Sequence, residues 1–130
     1  MKIKVFVLDH KNHYCREVVE IDEEDSLHEM YRVLHCELVD VQSFDIDGVE
    51  YDIWFDEEFL LKGEPLACTF VLGELKKGRC IPICGSWMIA KHDEEGRTIG
   101  LTDEDIDKLW TYTDENSIKA SIACAKKLFV

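Results

Sequence analysis

The amino-acid sequence predicts an α+β fold: a mainly antiparallel sheet built from hairpins, with two or three helices packed on it. Three observations carry that expectation. Apolar residues alternate in short runs, turn signals join those runs into pairs, and helix-start patterns separate one pair from the next. With 130 residues, 46% of them hydrophobic and only two prolines, the chain is large enough for one core and too small for two. Residues 1–130 are therefore read as one domain, with 113–130 as a C-terminal helical extension.

The first strand is expected over Lys2 to Asp9, with Ile3, Val5 and Val7 on one side. His10 to His13 would turn it, and Tyr14 to Ile21 would return beside it. A helix follows. Ser26 and Glu29 have the spacing of a capping box, and Leu27, Met30, Tyr31 and Leu34 recur at helical period. The next hairpin runs from Val39 to Ile46 and from Val49 to Phe55 around Asp47-Gly48, the strongest turn signal in the chain, because both residue types tolerate positive φ. Residues 57 to 75 fit a loop followed by either a strand or a short helix. A strand over Ser86 to Lys91, a turn at His92 to Gly96 and a short return to Leu101 come next.

Thr102 and Asp105 repeat the capping-box pattern, with Leu101 and Ile106 at the staple positions on either side of the cap. Ile106, Leu109 and Trp110 are the expected buried face. A last helix is expected from about Asp114 to Leu128, with Ile118, Ile122, Ala125 and Phe129 on one stripe.

The formal net charge is −13, with 28 acidic against 15 basic residues. Such a chain repels phosphate backbones and anionic lipid surfaces, so direct nucleic-acid binding and membrane association are both disfavoured. The run Val5 to Leu8 is far too short for a signal-peptide core or a span, which places the expected location in the cytoplasm. Cysteines 15, 36, 68, 80, 84 and 124 are scattered among apolar positions and read as reduced, mostly buried thiols.

The segment "CGSWMIAKHDEEGRTIGLTDEDIDKL", together with the capped first helix and "DEEFLLKGEPLACTF", resembles an uncharacterised domain-of-unknown-function family of small acidic proteins from bacteriophages and mobile elements of Gram-positive bacteria. The resemblance spans roughly Met1 to Leu109. It implies a setting, the cytoplasm of a bacterial host, and transfers no activity and no catalytic residue.

Specific chemistries are weighed against plain packing. Asp45-Ile46-Asp47-Gly48 imitates part of a calcium loop, but with Gly48 sixth the loop would end at Trp54, where a bidentate Glu is required. His10, His13 and Cys15, and the pair Cys80 and Cys84, lack the common spacings of zinc sites. "CGSW" at Cys84 to Trp87 superficially matches a papain-type signature but has Trp87 where a second cysteine is needed. Neither a Walker nor a dinucleotide phosphate loop is present. No cofactor, metal or catalytic residue is expected, and an enzyme is disfavoured rather than excluded.

The charge pattern is more informative. Between Arg32 and Lys62 lie nine acids and no basic residue, and a second acidic region, Asp93 to Glu115, has nine acids against Arg97 and Lys108. The hairpin register opposes Asp45 to Glu50, an arrangement that destabilises a sheet. The reading is a non-enzymatic binding protein that offers carboxylates in place of phosphates to a basic surface of a host defence or nucleic-acid-processing protein. Asp45, Asp47, Glu50, Asp52, Asp56 and Glu57 would supply charge, and an exposed Trp54 would anchor. The alternative is a pocket for a nucleotide signal using Trp87, His92 and Arg97; a second alternative is a cysteine- or metal-dependent hydrolase.

Overall fold

The structure, a computed structural model, describes residues 1–57, 68–74 and 79–115, and for 72–74 and 79–81 the backbone only. The strands are β1 (Lys2–Asp9), β2 (Cys15–Asp22), β3 (Val39–Ile46), β4 (Val49–Asp56), β5 (Cys68–Glu74), β6 (Arg79–Cys84), β7 (Trp87–His92) and β8 (Thr98–Ile99). A 3₁₀ turn, Glu23–Asp25, leads into α1 (Ser26–Leu34), and α2 covers residues 103–115. The main sheet has the order β2-β1-β7-β4-β3, with β8 beside the end of β7, and every pairing is antiparallel. Strands β5 and β6 form a separate hairpin. The fold is α+β with a mainly antiparallel sheet.

The three central strands carry buried side chains on both faces, which explains the continuous apolar runs Val5–Leu8 in β1 and Trp87–Ala90 in β7. Val5, Val7, Met88 and Ala90 pack under Met30, Val33 and Leu34 of α1. On the opposite face Phe6, Tyr51, Ile53, Phe55, Trp87 and Ile89 pack against Phe70 and Ile83 of the small hairpin and Ile106 and Leu109 of α2. Trp87 is fully buried there, edge-on to Phe6 at 5.7 Å and to Phe70 at 5.9 Å. Emptying such a site costs about 3–5 kcal/mol. Gly100 lets the chain cross β1 closely: a Cβ there would meet Ile3 Cβ at 3.0 Å, and the next residue, Leu101, donates its N–H to the Lys4 carbonyl.

Several boundaries differ from the sequence reading. Tyr14 belongs to the first turn, with φ 57, so β2 starts at Cys15. Ser26 and Glu29 do not form a capping box. The 3₁₀ turn moves the cap upstream, where the Asp22 carboxylate accepts from the Glu24 N–H, and Glu29 reaches back to the Asp22 N–H instead. The second box is formed as read. Thr102 Oγ1 accepts from the Asp105 N–H, Asp105 Oδ2 accepts from the Thr102 N–H, and Leu101 and Ile106 are both buried.

Trp110 is not part of the buried face. It lies 36% exposed at the helix rim, against Phe6 and under the Arg16 guanidinium at 4.6 Å. Residues 68–74 form a strand, one of the two alternatives the sequence offers, and the loop expected before it lies, from 58 to 67, outside the described residues. The helix expected from Asp114 is, within the described residues, the end of α2, which passes through Thr113 without a break. Its stripe at Ile118, Ile122, Ala125 and Phe129 lies outside the described residues.

Candidate functional site

The β3–β4 hairpin forms in the register that its turn dictates. Asp47 and Gly48 have φ 50 and 84, the two positive values that a two-residue turn needs to match strand twist, and Ile46 pairs with Val49, Asp45 with Glu50 and Phe44 with Tyr51. Strands flank Asp45 to Gly48 on both sides, where the calcium-loop motif needs a helix on each side.

One face of this hairpin holds α2. Phe44 stacks on Tyr112 of the helix at 5.4 Å and on Tyr51 at 5.8 Å. Beneath that stack the Tyr51 hydroxyl donates to Asp105 Oδ1 at 2.7 Å, and Lys91 Nζ lies 2.8 Å from Asp105 Oδ2. Burial works to raise the Asp105 pKa, but hydrogen bonds from Lys91, Thr102 and Tyr51 outweigh it and hold the carboxyl well below the usual range. For Tyr51 both causes act together: burial and the Asp105 carboxylate push the phenol above its ordinary value.

Pinned in this way, α2 lies across a groove from the hairpin tip. The groove has a volume of about 630 Å³ and is lined by Asp45, Ile46, Asp47, Asp107, Lys108, Thr111, Tyr112 and Glu115. Among the described residues the lining holds four acidic residues and one lysine, and Lys108 is already 3.6 Å from Glu104. The two acidic regions of the sequence, separate along the chain, meet here. The α2 residues were not singled out from the sequence, although Asp107, Thr111 and Glu115 are spaced by four and so share one helix face.

The other face of the hairpin is not the open acidic surface that alternation suggests. Asp52 is buried at 5% exposure; its Oδ1 accepts from Ser43 Oγ at 2.9 Å and its Oδ2 lies 2.6 Å from His92 Nδ1. His92 Nε2 lies 3.7 Å from Glu50. The hydrogen bond to Asp52, then the charges of Asp52 and Glu50, raise the His92 pKa above its ordinary value. Ser43, Asp52 and His92 have the composition of a nucleophilic triad in the wrong order. The carboxylate stands between serine and imidazole, so the Ser43 hydroxyl is hydrogen-bonded to Asp52 and not to the His92 imidazole.

Trp54, read as exposed, is half-buried against the α1-side core, and its buried Nε1 has no acceptor among the described residues. Its position two residues along β4 from Asp52 puts it on the face that α1 covers. Asp56 and Glu57 lie at the far end of β4, six and seven residues from Glu50, roughly 20 Å away. Of the seven hairpin residues, Asp45, Asp47 and Glu50 cluster at the tip. Glu58 lies outside the described residues.

The residues of the pocket alternative are not brought together. Trp87 is in the core on the opposite face from His92, while Arg97 is engaged by Asp93 at 3.1 Å and Glu95 at 2.9 Å. A phosphate approaching His92 would meet Asp52, Glu50 and Asp93. At the other end of the sheet His10 turns to Ser86, whose hydroxyl accepts the His10 backbone N–H at 2.9 Å and lies 2.6 Å from its Nδ1. Ser86 is 4% exposed, so that hydroxyl holds the β1 turn and is closed to a substrate. Among the described residues no three His, Cys, Asp or Glu side chains converge as a metal site, and no helix is long and apolar enough to cross a membrane. The Cys80 side chain lies outside those described.

A family model for a domain of unknown function, DUF3846, matches residues 1–115. The chain belongs to this family. The match takes in both hairpins of the main sheet and the described length of α2, and therefore both walls of the groove. No curated protein and no solved structure matches the chain.

Proposed function

We propose that this DUF3846 protein is a non-enzymatic binding protein of a phage or mobile element, which docks its hairpin tip and the outer face of α2 onto a basic surface of a host protein. The surface is one that ordinarily holds nucleic acid in a defence or nucleic-acid-processing protein, and the carboxylates take the place of phosphates. One observation carries the reading: residues from two separate acidic regions, Asp45 and Asp47 on one side and Asp107 and Glu115 on the other, line a single groove in which Lys108 is the only cation among the described residues. Concentrating like charge in this way raises the local field, which speeds encounter with a basic partner and weakens with salt. The overall charge of −13 acts in the same direction.

The test compares the wild-type chain with a quadruple variant, Asp45→Asn, Asp47→Asn, Asp107→Asn and Glu115→Gln, as baits in host bacterial lysate. A host nucleic-acid-binding protein should be retained by the wild type at low salt, released at high salt or by added DNA, and lost with the variant. Equal retention by both baits, or none by either, would reject the proposal.

A further inference from the structure

We propose that Cys68 and Cys84 form a reversible oxidative modification site, closing to an intramolecular disulfide across the β5–β6 hairpin when the protein meets hydrogen peroxide. The two residues are direct partners in the β5–β6 register. Opposed residues of an antiparallel pair have Cα atoms about 4.5 to 5.5 Å apart. Disulfides accept Cα separations of about 4.4 to 6.8 Å, so the ladder already holds this pair in the required range.

Local structure fixes their orientation. The register shifts between Cys68 and Phe70, leaving Thr69 as the extra residue of a bulge, and Phe70 then pairs with Ile83. Phe70 and Ile83 both face the core, so Cys84, the next residue along β6, points to the opposite face, and its partner Cys68 points with it. Thr69 fastens the bulge from the other strand's side, its hydroxyl lying 3.3 Å from the Ile83 carbonyl and 2.6 Å from that of Gly85, one residue on either side of Cys84. Both residues are partly exposed, whereas Cys36 is buried. Cys15 begins β2 and Cys36 follows α1, so among the described cysteines this pair alone is opposed on neighbouring strands.

The chemistry balances with peroxide as the two-electron oxidant. One thiolate attacks a peroxide oxygen, the O–O bond breaks, and the departing hydroxide takes a proton to leave as water. The resulting sulfenic acid is attacked by the second sulfur, its S–O bond breaks, and a second water leaves as the S–S bond forms. A dithiol reductant reverses the step by exchange.

The test treats the folded full-length chain with hydrogen peroxide, alkylates the remaining thiols, and maps the peptides by mass. The expected result is a loss of about 2 Da, the two thiol hydrogens, in a cross-linked peptide pair joining Cys68 to Cys84. That product should disappear with dithiothreitol and be absent from Cys68→Ser and Cys84→Ser. Alkylation of both residues after peroxide, a cross-link mapped to other cysteines, a disulfide joining two chains, or oxidation stopping at one sulfinic acid would each overturn the assignment. The wild-type map decides the question even where a serine variant fails to fold.

Discussion

Asp105 and Asp52 are both buried carboxylates that touch the β3–β4 hairpin, yet they lie on opposite faces of the sheet and are held differently. Asp105 meets the Lys91 ammonium, a tyrosine hydroxyl and the backbone of its own helix cap. Asp52 meets a histidine and a serine. The first arrangement is fixed and the second can titrate. The fixed one joins β4, β7 and α2 and so builds the groove; the titratable one sits behind the hairpin, where a proton on His92 changes how much negative charge the tip presents.

The sharpest way to break this contrast is Asp105→Ala. It strips the partner from Lys91, the acceptor from Tyr51 and half of the capping box, and should cost about 3 kcal/mol or more. A urea midpoint measured beside that of Asp52→Ala gives the test. Asp52→Ala should cost less, because His92 can shed its proton and avoid an unpaired charge. Equal losses would mean that the two sites do not differ as described. Tyr51→Phe removes one hydrogen bond to a charged acceptor and leaves the ring in its stack, for a loss of about 1.5–2 kcal/mol.

His92 predicts a smaller, pH-dependent effect. Its folded pKa is raised, so the protonated form favours the folded state. That contribution is fully present below the unfolded value, near 6.5, and is lost as pH rises through the folded value. The imidazole is 38% exposed, so screening limits the effect to no more than about 0.5 kcal/mol. Wild type and His92→Gln should therefore differ more at pH 6 than at pH 8. A difference that grows with pH would show that His92 is held neutral.

Much of the fold was legible because its signals are local. Asp47-Gly48 fixes its own turn and thereby the whole register of β3 and β4, and Thr102 with Asp105 fixes the start of α2. The site was legible only in part, because its walls come from residues about sixty positions apart and alternation along β4 says nothing about what covers a face. Asp52 looked like a surface acid by period, but Ser43 across the strand pair and His92 on β7 enclose it. Trp54 looked exposed among acids, but α1 packs over that end of the strand. In the other direction, Ser26 and Glu29 matched a motif that three acidic residues upstream displaced.

The smallest predicted effect bears most directly on function. Asp45 and Glu50 are directly opposed at the hairpin tip, and such like-charge pairs destabilise a ladder by a few tenths of a kcal/mol. Asp45 also lines the groove, whereas Glu50 is close to His92. Replacing Asp45 with threonine therefore separates the two roles better than changing Glu50. It removes the repulsion, adds a residue suited to strands and leaves the imidazole's neighbours in place. Asp45→Thr should raise stability by about 0.5 kcal/mol or less while weakening salt-dependent capture of a basic partner. Opposite signs in the two measurements are what a charge kept for binding at the expense of folding would produce. A drop in stability would show instead that Asp45 supports the hairpin, and the acidic tip would then need no partner to explain it.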